Sequence, residues 1–189
     1  MKSFLQSIAA FSDEELNAIL NAGLKRAAES KELLFKSESL FSRLWFIEQG
    51  MIRAYRIIDG EDFTFFFFTQ SEFATDYQSY LTQEDSPLFF EALTDTRFTE
   101  FTKDAIEELY IKYPLFERVG RLMAEKAYLS ATDRLKQFQT EALEIRYQKL
   151  LAKDSKLFQE IPQYHIASYL GVRPQSLSRL RAKLMGKIY

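Results

Sequence analysis

Apolar residues recur with two different periods along this chain, and the period changes near its middle. From Glu32 to Phe101 they come in short runs broken by turn residues: LLF at 33–35, RLWFIE at 43–48, MIRAYRII at 51–58, DFTFFFFT at 62–69, LFFEAL at 88–93 and RFTEF at 97–101. Short runs rich in aromatic and β-branched residues predict strands. Gly50, Asp59-Gly60 and Thr94-Asp95 mark the turns. Asp-Gly between two such runs predicts a two-residue hairpin, because both central residues of that turn need positive φ. Several short strands at this spacing predict a compact β-roll of the jelly-roll kind. The Phe65-Phe66-Phe67-Phe68 run is short and bounded by polar residues, which predicts a strand buried on both faces rather than an aromatic cage or a membrane contact.

Helical spacing governs the two ends. Ser12-Asp13-Glu14-Glu15 predicts a helix start, with Ser12 as N-cap and Glu15 completing a capping box; Phe11, Leu16, Ile19, Leu20 and Leu24 supply the apolar stripe. Pro114 opens a long helix reaching about Phe138. Phe116, Val119, Met123 and Ala127 form one stripe, and Tyr128, Ala131, Leu135 and Phe138 extend it after a one-residue drift. Gly120, Ala124, Ala127 and Ala131 are small, which permits close approach of another helix. A seam of this length exceeds what a small barrel covers, so the expectation is a homodimer through residues 114–138, the alternative being burial on the chain's own domain. Thr140 then predicts a cap for a helix over 141–152, with Leu143, Tyr147, Leu150 and Leu151 apolar.

The segment IPQYHIASYLGVRPQSLSRLRAKL at 161–184 predicts two short helices joined at Gly171. Ile166, Ala167 and Leu170 stripe the first helix, Val172 packs inward, and Pro174 suits a first helical position. Leu177, Leu180 and Leu184 form the buried face of the second helix; Gln175, Ser176, Ser178, Arg179 and Lys183 lie on its other face. This is the pattern of a helix-turn-helix unit, whose second helix enters the major groove. An ordinary helical hairpin with a solvated basic face is the alternative. Charge placement separates the two: Arg173, Arg179, Arg181, Lys183 and Lys187 follow without an acid, in a chain whose net charge is −2. Basic charge gathered at one end is the footprint of phosphate binding.

Composition narrows the chemistry. At 189 residues, with 47% hydrophobic and 28% charged residues, the chain is globular and long enough for a sizeable core. No segment approaches the roughly 20 apolar residues of a membrane span, and the N-terminus is too polar for a signal peptide, so the expected location is cytoplasmic. Zero cysteines exclude disulfides, thiolate metal sites and cysteine-bound clusters. One histidine, His165, cannot build a multi-histidine site, and a surface or phosphate-contacting role is expected for it. No glycine-rich phosphate loop occurs. Neither a metal nor a cofactor is expected, and no catalysis; a cupin-type enzyme would need clustered histidine and carboxylate ligands.

Helix, β-roll, long helix and helix-turn-helix, in that order, resemble the Crp/Fnr family of bacterial transcription regulators over nearly the whole chain. The resemblance is carried by RLWFIEQGMIRAYRIIDGEDFTFFFF, similar to the family's early β-roll strands, and by HIASYLGVRPQSLSRLRAKL, similar to its DNA-reading helices. It implies an α+β fold with a cyclic-nucleotide-binding-like β-roll effector domain over 1–113, a dimerisation helix over 114–138 and a helix-turn-helix DNA-binding domain over 139–189. Base-facing positions fall on Pro174, Gln175 and Arg179, with Ser176 and Ser178 near the backbone. Together with Arg173 and Lys183 these are the candidate DNA contacts. Pro174 departs from the arginine often found there, so the cognate site should differ from that of the cyclic-AMP regulator.

The family's cyclic-nucleotide cassette has a Gly-Glu pair and then an Arg-Ser pair that holds the cyclic phosphate. Here Thr75-Asp76 and Ser86-Pro87 occupy those places, and Phe73, Thr75, Asp76, Tyr77, Ser86 and Pro87 become the candidate effector pocket. Asp76 retains the capacity to accept a ribose hydroxyl. No Arg or Lys lies between Arg56 and Arg97, and Glu84 and Asp85 make the loop acidic. A phosphate beside uncompensated carboxylates costs Coulomb and desolvation energy together, so cyclic AMP and cyclic GMP are rejected as ligands. A less anionic effector, or none, is expected. The chain stops five residues after Leu184, which leaves little room for a β-wing, with Lys187 and Tyr189 as remaining backbone contacts. The leading reading is a dimeric, sequence-specific DNA-binding regulator; the alternative is a small-molecule sensor acting through protein contacts, without DNA binding.

Overall fold

Two helices open the chain, α1 (Lys2–Ile8) and α2 (Asp13–Ala22), in a computed structural model that describes residues 1–155 and 157–186. The capping box closes as its residues require: the Ser12 hydroxyl accepts from the Glu15 N–H at 3.2 Å, and the Ser12 N–H donates to the Glu15 carboxylate at 2.7 Å. Leu24 does not continue the stripe of α2. It begins β1 (Leu24–Ala28) and is exposed, because the chain leaves the helix at Gly23 to pair with a later strand.

The remaining elements of the first half are β2 (Leu33–Phe35), β3 (Ser39–Leu40), β4 (Arg43–Gln49), β5 (Ile52–Ile58), β6 (Glu61–Phe68), β7 (Phe73–Ala74), α3 (Tyr77–Thr82), β8 (Asp85–Ser86), β9 (Phe89–Ala92), β10 (Thr96–Thr102) and α4 (Lys103–Lys112). They form sheets ordered β1-β10-β4-β7, β2-β9-β5-β6 and β3-β8. Asp59 and Gly60 both take positive φ, 52° and 81°, as the hairpin between β5 and β6 demands. Among the described residues that follow, the elements are helices: α5 (Pro114–Thr140), α6 (Leu143–Lys153), α7 (Leu157–Glu160), α8 (Gln163–Tyr169) and α9 (Pro174–Met185). Thr140 does not cap α6. Its hydroxyl donates back to the Lys136 carbonyl at 2.8 Å within α5, and α6 starts after Ala142.

The chain forms two compact units: residues 1–54 with 67–129, and residues 55–66 with the described residues from Ser130 onward. In the first unit, strand alternation separates two cores. Trp45 and Ile47 point into the roll, with Phe41, Ile52, Phe90 and Phe98; Phe46 points the other way, with Phe101, to meet Leu5, Leu16, Ile19, Ile106, Leu109 and Phe116 of the helices. The roll interior is a stack of aromatic rings, Phe41 on Phe90 at 4.5 Å and Trp45 against Phe98 at 5.2 Å. A part-buried ion pair crosses from β5 to β9, from the buried Arg53 Nε to Glu91 at 2.8 Å.

Glu100 on β10 ties three strands together. It accepts the Trp45 indole N–H at 2.9 Å and pairs with Arg26 at 3.2 Å and Arg43 at 3.3 Å. Burial by itself raises a carboxyl pKa; these three donors reverse that and hold Glu100 below the ordinary carboxylate value.

The phenylalanine run departs from expectation. Phe67 is buried and Phe68 half-buried, but Phe65 and Phe66 are 38% and 39% exposed. β6 lies at the edge of its sheet, and its first six residues leave the aromatic core of the roll for the second unit. Along α5 the change is as sharp. Phe116 and Val119 are buried, whereas Tyr128, Leu129, Leu135 and Phe138 are 69%, 61%, 59% and 43% exposed.

Candidate nucleic-acid interface and effector pocket

The second unit is built on the apolar seam expected of a helix-turn-helix. Ile166, Ala167, Leu170 and Leu177 are buried, as are Tyr147, Leu150, Leu157 and Ile161, whereas Leu180 and Leu184, expected on the same buried face, are only half-buried. Gly171 takes φ +68°, and a Cβ there would meet the Phe138 ring at 2.7 Å, so both backbone and space require glycine. The turn is closed by the Val172 N–H donating to the Ala167 carbonyl at 3.0 Å. Val172 is half-buried, and Pro174 occupies the first turn of α9.

On α9 and its entry, Arg173, Pro174, Gln175, Ser176, Ser178 and Arg179 are all exposed. Among the described residues no hydrogen bond or ion pair engages the side chain of Gln175 or Arg179. Lys183 is exposed but differs from them: its Nζ lies 3.1 Å from a Glu144 oxygen on α6. Arg181 is half-buried. Lys187 and Tyr189 lie outside the described residues. His165 is not on the surface. It is 5% exposed, with its ring 4.0 Å from that of Tyr164. His165, Ile166 and Ala167 are buried in succession, which at 100° per residue means that α8 is covered around more than half its circumference.

The candidate effector residues are divided by the structure. Asp76 and Ser86 are buried and meet: the Ser86 hydroxyl donates to Asp76 Oδ2 at 2.6 Å, while Asp76 Oδ1 caps α3 by accepting from the Gln78 and Ser79 N–H groups at 3.2 and 3.4 Å. Thr75 donates its hydroxyl to the Arg43 carbonyl at 2.8 Å. Phe73 turns to the helical cluster, its ring 5.1 Å from Phe46. Tyr77 and Pro87 are exposed, Tyr77 stacking on Tyr80 at 6.2 Å. A cavity of about 470 Å³ lies elsewhere in the first unit, lined by Phe4, Lys25, Phe46, Glu48 and Ser71 among others, with Lys25 and Glu48 forming an ion pair.

Two residues absent from the sequence reading stand out in the second unit, Arg134 and Ser168. Arg134 sits on the face of α5 shared with Ala131 and Phe138, three and four residues away, so a cation within an apolar stripe was the available signal. Burial pulls its guanidinium below the ordinary arginine value, against the opposing effect of Tyr169. Among the described residues no helix is long and apolar enough to cross a membrane, and no group of three His, Cys, Asp or Glu could hold a metal ion.

A β-roll flanked by helices, a long helix and a terminal helix-turn-helix define a Crp/Fnr-type fold. Solved structures bear this out. The chain aligns over 87% of its length with FixK2 of Bradyrhizobium japonicum, covering 85% of that protein with a TM-score of 0.73 and 16% identity. It aligns over 97% of its length with the catabolite activator protein of Thermus thermophilus, covering 87% of it with a TM-score of 0.58 and 18% identity. A chain described as a Crp/Fnr-family transcriptional regulator from Eubacterium rectale aligns over 94% of this one and 85% of its own length, with a TM-score of 0.68 and 11% identity. At such identities the likeness is one of fold. No family model matches the chain, and no curated protein does.

Proposed function

We propose that the chain is a non-catalytic transcription regulator that binds DNA as a homodimer, α9 entering the major groove. The observation that carries this is the outward face of α9, where the side chains of Gln175 and Arg179 are exposed and unengaged among the described residues. Those two side chains have the donor and acceptor geometry for base edges, and Ser176, Ser178 and Arg173 suit phosphates. The likeness to Crp/Fnr-type folds supports the same role. Residues 1–113 then serve as the effector domain, 114–138 as the dimer helix and 139–189 as the reader. The exposed Tyr128, Leu129 and Leu135 supply the apolar seam for a second copy, and two-fold symmetry suits two half-sites one helical turn apart. With Asp76 and Ser86 bound to each other, the cassette is poorly suited to a cyclic nucleotide. Such a regulator works in the cytoplasm.

Selection of bound duplexes from a random pool tests the proposal. The expected result is a palindromic consensus whose affinity falls steeply with salt. A pool that does not enrich, with no salt-dependent retention of duplex, overturns it.

A further inference from the structure

Strands β5 and β6 carry the chain out of the first unit at Tyr55 and return it at Phe67, so the hairpin tip between them shares a compact unit with α8 and α9. Among the described residues, Ser168 and Arg134 fasten the tip. The Ser168 hydroxyl accepts the Thr64 N–H at 2.8 Å and donates to the Asp62 carbonyl at 3.0 Å. Residues two apart on an extended strand direct their N–H and C=O groups to the same side, so one hydroxyl serves this edge of β6 as a neighbouring strand would. Thr64 is 3% exposed, so water is no substitute for Ser168.

Arg134 makes the second fastening. It donates to the Phe65 carbonyl on the hairpin and, at 3.3 Å, to the Tyr169 carbonyl at the end of α8. Its guanidinium lies 4.1 Å from the Tyr169 ring centre, with the Phe66 and Phe138 rings at 5.6 and 5.5 Å. Both polar partners are backbone carbonyls, one on each element, so the planar guanidinium acts as a bracket. The Phe138 ring in turn abuts Gly171, from which the chain turns into α9.

We infer that the β5–β6 hairpin tip is a positioning element of the reader: Ser168 and Arg134 hold α8 against it and thereby fix the direction in which α9 presents Gln175 and Arg179. This rests on the DNA-reading role proposed above. The two strands are covalently continuous with the β-roll, so a shift along β5 or β6 reaches the reading helix through these two side chains as well as along α5. Both side chains are engaged with the hairpin, and neither is counted among the candidate DNA contacts.

The full chain with Ser168→Ala tests this, against the duplex recovered by selection. The change removes both hydroxyl bonds, adds no bulk and suits a helix. Affinity is expected to fall roughly tenfold, the scale of one or two lost hydrogen bonds. The slope of log affinity against log salt should stay constant, since no phosphate contact is lost. Amide exchange at 61–66 and 163–170 should rise together, whereas Arg179→Ala lowers affinity and leaves that exchange alone. Arg134→Lys, which keeps the charge but loses the planar bracket, should reproduce the pattern and stands in should Ser168→Ala not fold. Unchanged or increased affinity in a folded variant overturns the inference. Should the parent chain select no duplex, the DNA-reading proposal fails by itself and exchange alone decides: a joint rise supports the bracket, and a rise on one side only, or none, overturns it.

Discussion

Ser86 donates its hydroxyl to the Asp76 carboxylate across 2.6 Å, and both side chains are buried. The other Asp76 oxygen caps α3, so both carboxylate oxygens accept hydrogen bonds from within the chain. Ser86→Ala leaves a buried carboxylate oxygen short of a donor, and urea unfolding should show a loss of about 1–3 kcal/mol. Cyclic AMP added at millimolar concentration should leave the thermal midpoint of the parent chain unchanged. A saturable rise in that midpoint would mean that the nucleotide displaces the internal bond.

Glu100 makes the first unit acid-sensitive. Its folded pKa lies below its ordinary value of 4.5, so the stabilisation is fully present above pH 4.5 and is lost as pH falls through the lower, folded value. The only tryptophan, Trp45, donates to this carboxylate and reports the change. Acid titration of Trp45 fluorescence should show a transition below pH 4.5 that Glu100→Gln removes. A transition identical in the variant would assign the acid response to other groups.

The exposed stripe of α5 gives a test of assembly. Tyr128→Glu with Leu135→Glu places two charges on the proposed seam, at residues 69% and 59% exposed in the single chain. Light scattering should show the parent at twice 22.2 kDa and the variant at 22.2 kDa, with the helical circular dichroism retained. A variant that keeps the doubled mass would move the interface elsewhere.

Arg179 and Lys183 carry the same charge but stand in different surroundings, and their substitutions should separate. Arg179→Ala should cost about 1–3 kcal/mol of specific binding and relax preference at one base position. Lys183 is already paired with Glu144, so Lys183→Ala should lower the salt slope by less than the full unit of a free phosphate contact. Glu144→Gln, which releases that lysine, should strengthen duplex binding. Equal losses for the two cations would contradict this ordering.

Local chemistry determined much of this protein in advance. The capping box at Ser12, the positive-φ turns at Asp59-Gly60 and Gly171, the start of α5 at Pro114 and the pair α8–α9 each depend on residues within a few positions of one another. The strand runs were equally legible, because alternation and turn residues are local signals. What escaped were decisions made at a distance. Leu24 continues a helical stripe in the sequence and is claimed by β10 in the fold. Phe65 and Phe66 read as core, yet the edge position of β6 leaves them exposed. His165 looked solvent-facing until the surrounding helices covered it. Ser168 and Arg134 are ordinary helix residues until a hairpin about 70 to 105 positions earlier supplies the carbonyls and the N–H that they bind. A residue's own spacing states which way it faces; only tertiary structure decides what it meets there, because burial and unpaired backbone groups are settled by partners remote in the chain.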